Sequence, residues 1–153
     1  MIFVYLHILF MVTAVTITFG PAFLTHRAAT TGNVPTIRAT FGMAGALGPF
    51  IPVTFGLGFL FALIAIFTGG YNPFRPWLLI AYVLFAIGMI DGFRVHTPYA
   101  LAVGKAAAES PDEAPSAELV AALDNRAEQV TYWVDIAIIA VILFDMVIKP
   151  FGA

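Results

Sequence analysis

The chain has no cysteine, which excludes disulfides, thiolate metal centres, iron–sulfur clusters and cysteine nucleophiles. Charge is scarce too. Asp, Glu, Lys and Arg make up 10% of the 153 residues, and a net charge of -2 offers no basic surface for nucleic acid. No basic stretch precedes the first apolar run, which follows Met1 directly and is long enough to cross a bilayer, so it reads as a retained span rather than a cleaved leader. What the chain has in excess is apolar surface. With 61% hydrophobic residues and a mean hydropathy of +0.95 it reads as an integral membrane protein.

A bilayer core takes roughly 20 apolar residues in a helix. Four segments qualify, at about 2–24, 41–67, 77–95 and 130–148. The expected fold is all-α, a four-helix transmembrane bundle forming a single integral membrane domain over 1–153. In the second segment Pro49 and Pro52 each remove a helical hydrogen bond, which predicts a kink. Gly42, Gly45, Gly48, Gly56 and Gly58 leave room for neighbouring backbones, with the closest contacts expected at Gly42, Gly45 or Gly56. The third segment starts at Trp77 after the turn Gly69-Gly70-Tyr71-Asn72-Pro73, and its Asp91 and Arg94 are spaced to pair at i, i+3. The fourth stops at Lys149-Pro150, a basic anchor followed by a helix breaker.

Between the third and fourth segments lies a polar loop, about 105–129, with Pro111, Pro115 and six acidic residues against Lys105 and Arg126. Ser116 is placed to N-cap a helix with Glu118 in its first turn, and Leu119, Leu123 and Val130 follow at near-helical spacing. The fourth helix is thus expected to begin outside the membrane and run straight in. Arg27, Arg38, Arg94, Lys105 and Arg126 flank one side of the spans, against Arg75 and Lys149 on the other. The positive-inside rule then puts the loop in the cytoplasm and both termini outside a cell inner membrane.

Ionisable groups at membrane depth face a partner or water, so each is a functional candidate. His7, Asp91, Asp135 and Asp145 lie in the apolar segments. Counted inward at 1.5 Å per residue, His7 lies roughly 8 Å inside the outer end of its helix, and His26 about 28 Å further along. The two cannot share a metal. Equal depth groups His7 with Tyr82, Asp145 and Met146 in an outer cluster, and His26, Arg38, Asp91, Arg94, His96, Arg126 and Asp135 toward the inner end. His7 reads either as an axial haem ligand, with Met146, Asp145 or an open position opposite, or as a hydrogen-bonding tie to Asp145 or Tyr82. Asp145 and Lys149, at i and i+4, suit an interfacial ion pair. Asp135 is open to pairing with Arg38 or Arg94, or to taking up a proton. His26 and His96 read as solvated rather than as metal ligands with Asp91, because their spacing has no local signature.

The run Tyr5-Leu6-His7-Ile8-Leu9-Phe10-Met11-Val12-Thr13 resembles the opening helix of the small membrane protoporphyrinogen oxidases of bacterial haem synthesis. The ending Val147-Ile148-Lys149-Pro150-Phe151 is similar to that family's closing lysine-proline. In layout the chain also resembles an uncharacterised family of predicted bacterial integral membrane proteins, distantly related to copper-resistance membrane domains, which share the early histidine and the terminal lysine-proline. The resemblance covers the two ends of the chain and implies a haem-binding role for His7. It departs at Trp77-Leu78-Leu79-Ile80-Ala81, where alanine stands in place of the oxidases' functional lysine, so protoporphyrinogen oxidation itself is not carried over.

Two functions from different classes follow. One is a b-type haem-binding or porphyrin-handling redox protein, with haem b on His7 and a quinone or protein redox partner. The other is a non-enzymatic accessory subunit, packed through its glycine-rich second helix in a homo-oligomer or a larger membrane complex.

Overall fold

The computed structural model describes residues 1–150, and among these every regular element is helical. The order is α1 (Ile2–Ala29), α2 (Val34–Leu47), α3 (Phe50–Thr68), α4 (Pro76–Asp91), a five-residue π segment (Gly92–His96), α5 (Thr97–Glu109), α6 (Ala117–Leu123) and α7 (Arg126–Ile148). Four stretches are long and apolar enough to cross a membrane: Ile2–Ala29, Val34–Thr68, Pro76–Glu109 and Ala117–Ile148. The all-α, four-span class expected from the sequence is what the chain adopts, and its apolar helices suit a lipid bilayer. Most of their large side chains, such as Val12, Phe50, Val83 and Phe144, are exposed, as lipid-facing groups are.

The helices begin earlier and end later than hydropathy alone suggests. The second span starts at Val34, where Asn33 accepts a hydrogen bond from Thr36 N–H at 2.9 Å and Pro35 fits the first turn. It breaks between Leu47 and Phe50, at Gly48-Pro49, as the prolines require. The third span runs on to Glu109, four residues past the expected start of the polar loop at Lys105. Ser116 does cap α6, its Oγ accepting from Leu119 N–H at 3.2 Å. The helix before the fourth span is in two pieces, because Asn125 leaves helical geometry (φ -107, ψ 97) and starts α7 afresh by accepting from Glu128 N–H. The run straight in from Ser116 is therefore interrupted at Asp124-Asn125. α7 ends where predicted: Lys149 takes the left-handed cap conformation (φ 48, ψ 60), and Pro150 cannot continue the helix.

The chain divides into two compact units. The first comprises Met1–Tyr71 with Ala100–Leu123, and the second Asn72–Tyr99 with Asp124–Ala153. In the first, α1 packs on α3 and α2. Its largest fully buried side chains are Val34 and Ile37 on α2, Val103 on α5 and Leu119 on α6. Arg38 ties α2 to the end of α5, donating from Nε to Ala107 O (3.0 Å), from Nη2 to Ser110 O (2.8 Å) and from Nη1 to Asp112 (2.8 Å). In the second unit α4 and the π segment pack on α7. The two helices are antiparallel, since Lys149 Nζ lies 5.5 Å from the Trp77 ring centre while His96 meets the opposite end of α7.

Candidate functional site

In the first unit, one stripe of α1 faces α3. Phe3, His7 and Phe10 recur at helical spacing, and Phe61 of α3 stacks on both phenylalanines, with ring centres 6.4 and 5.5 Å apart. Between them His7 Nδ1 lies 2.8 Å from Gly58 O. A carbonyl only accepts, so Nδ1 carries the hydrogen and donates, and the neutral ring keeps its lone pair on Nε2. Gly58 allows this approach because a Cβ there would fall 2.7 Å from Met11 Sδ. The closest contact is not at Gly42, Gly45 or Gly56 as expected, where an added Cβ would meet nothing within 4 Å. The close interhelical contact belongs to Gly58 because the α1 stripe faces that turn of α3.

Of the residues grouped with His7 by depth, Tyr82, Asp145 and Met146 belong to the second unit. Tyr82 and Met146 are half-buried. Asp145 is only 2% exposed, and neither carboxylate oxygen has a hydrogen-bond partner among the described residues. It forms no ion pair with Lys149, whose αL backbone donates to Asp145 O at 2.8 Å while its ammonium lies by the Trp77 ring. The indole N–H of Trp77 is also buried without a partner among the described residues. Ala81 is buried at 4% exposure.

The inner polar group is assembled differently from the depth count. Arg38 is committed to Asp112 and the end of α5 in the first unit. Arg94 and Arg126 are exposed and make no ion pair among the described residues. The i, i+3 pair of Asp91 and Arg94 does not form, because the π turn starts between them. Gly92 O accepts from both the backbone N–H and the hydroxyl of Thr97, five residues on, which changes the register and leaves Arg94 outside.

The same turn presents His96 to α7. Its Nδ1 lies 2.8 Å from Glu128 Oε2 and 3.0 Å from Oε1, and its Nε2 lies 2.7 Å from Asp135 Oδ2. Asp135 Oδ1 is buried and accepts nothing among the described residues. Asp91 is within electrostatic reach of both Asp135 and His96. Asp135 thus finds a histidine rather than Arg38 or Arg94, and His96 is bonded rather than merely solvated. Glu128 escaped the sequence reading, although its seven-residue spacing from Asp135 puts both on one face of a helix. No group of three or more His, Asp or Glu among the described residues is arranged to hold a metal ion.

Comparison with family models, with curated proteins and with solved structures finds nothing that matches this chain.

Proposed function

We propose that the chain is a small multi-pass membrane protein that binds a b-type haem through His7 and handles electrons or porphyrin at that site. One observation carries this reading: the hydrogen bond from His7 Nδ1 to Gly58 O. Histidines that ligate metals almost always donate their other ring N–H to a carbonyl or carboxylate, which fixes the tautomer and aims the free nitrogen. His7 has that arrangement, and Nε2 has no hydrogen-bond partner among the described residues. Phe3, Phe10 and Phe61 make the surroundings aromatic and apolar, which suits a porphyrin face.

These residues fit the group. Gly58 holds the imidazole, the phenylalanines restrict water, and the backbone carbonyl raises the basicity of Nε2. When bound, the haem would supply one-electron exchange with a quinone or a protein redox partner. In this reading the protein lies in a bacterial inner membrane with both termini outside, and the stretch 105–129 faces the cytoplasm.

The test is the absorption spectrum of full-length protein purified in detergent after haem-supplemented expression. A reduced-minus-oxidised b-type spectrum is expected, lost in His7→Ala and kept in His26→Ala. Haem retained in His7→Ala, or a colourless wild type, overturns the proposal. A colourless protein that copurifies with a larger assembly would instead mark an accessory subunit.

A further inference from the structure

The contacts of His96 contain a proton that the ordinary charges of the three residues do not supply. An ionised carboxylate has no hydrogen to give, and a neutral imidazole has one N–H. Yet both ring nitrogens lie at hydrogen-bonding distance from carboxylate oxygens, 2.8 Å to Glu128 and 2.7 Å to Asp135. Two such bonds need two hydrogens among three groups. The cluster therefore holds one proton more than a neutral imidazole with two carboxylates, whether it sits on the ring or on either acid. These are the lengths of charge-assisted bonds.

We infer that His96, Glu128 and Asp135 form a proton-exchange site, the imidazole passing a proton between a carboxyl in the first turn of α7 and another two turns further along. The step balances without any co-reactant. Glu128, as the acid, gives its proton to Nδ1 while Nε2–H gives its own to Asp135. Glu128 is left a carboxylate, Asp135 an acid and the imidazole its other tautomer. No heavy atom has to move, because each nitrogen already faces its own carboxyl.

The surroundings suit exchange better than a static tie. The groups facing the ring are Glu128 and Asp135 from α7, and Asp91 from its own helix, with Tyr99 close to Glu128. No lysine or arginine makes an ion pair with any of the three acids among the described residues, so the shared proton is the positive charge that offsets them. The side chains are 28% (His96), 16% (Glu128) and 13% (Asp135) exposed, which leaves the ring edge accessible while Asp135 Oδ1 stays enclosed near Asp91. The site lies wholly within the second unit and does not depend on haem at His7.

Full-length protein with 15N-labelled histidine, reconstituted in phosphatidylcholine liposomes, tests this by solid-state NMR. His96→Gln identifies the resonances. In the wild type both His96 ring nitrogens are expected to carry hydrogen at acid pH, and one hydrogen is expected to leave in a single step between about pH 5 and about pH 9. Asp135→Asn and Glu128→Gln each remove one charge facing the ring, so each should move that midpoint toward acid by about one pH unit, a tenfold change in proton concentration. His7→Ala should leave it in place, which separates this site from the haem proposal. Two hydrogens retained on the ring throughout that range, or ring-nitrogen signals that do not move with pH anywhere within it, overturn the inference from the wild type alone. A midpoint unmoved in both folded variants overturns it as well.

Discussion

Replacing Gly58 with alanine should weaken the protein, whereas the same change at Gly42 or Gly45 should strengthen it. At Gly58 the added Cβ lies 2.7 Å from Met11 Sδ, 3.0 Å from its Cγ and 3.4 Å from its backbone nitrogen. Comfortable contact begins at about 3.5 Å, so the thioether must retreat by roughly an ångström. Methionine has three rotatable bonds and can yield, which puts the cost near the low end of the about 1–3 kcal/mol typical of overpacking. Alanine's advantage over glycine in a helix, about 0.5–1 kcal/mol, offsets part of it. The net loss should be about 0.5 kcal/mol or less. At Gly42 and Gly45 the new methyl meets nothing within 4 Å, so only the gain of about 0.5–1 kcal/mol remains. Met11→Ala should rescue Gly58→Ala, with a coupling energy of about 1 kcal/mol in a double-mutant cycle. SDS-driven unfolding in mixed micelles, followed by far-UV circular dichroism, measures all five variants, the double included. If Gly58→Ala stabilises as Gly42→Ala does, α1 and α3 do not meet at Gly58, and the His7 geometry falls with that contact.

Arg38→Ala should cost about 2 kcal/mol, because its guanidinium donates to two carbonyls at the end of α5. Asp112→Ala, at a 65% exposed partner, should cost about 0.5 kcal/mol or less in the same assay. Asp145→Val should stabilise by about 1–2 kcal/mol, since it removes two buried oxygens that accept no hydrogen bond among the described residues. A loss of stability there would mean that Asp145 has a partner.

Much of the fold was legible in the sequence, for reasons confined to single helices. Apolar length decides a span, Pro49 breaks a helical ladder wherever it stands, Ser116 caps the residues that follow it, and Lys149-Pro150 ends α7. Such effects act within a turn or two of chain. Which residues meet was not legible, because that depends on helix rotation and on register between helices. Depth along the axis was the only coordinate available, and it grouped Arg38 with Asp135 although their side chains are committed to Asp112 and His96. The π turn at Gly92–His96 is the clearest case. Its added residue undoes the local pairing of Asp91 with Arg94 and presents His96 to α7, and composition has no signature for it. Likewise, the sequence by itself marked His7 as a polar group that must face inward, and only the packing of α1 on α3 decided that Gly58 is the residue it meets. Residue type sets what a side chain requires, and tertiary packing decides which neighbour supplies it.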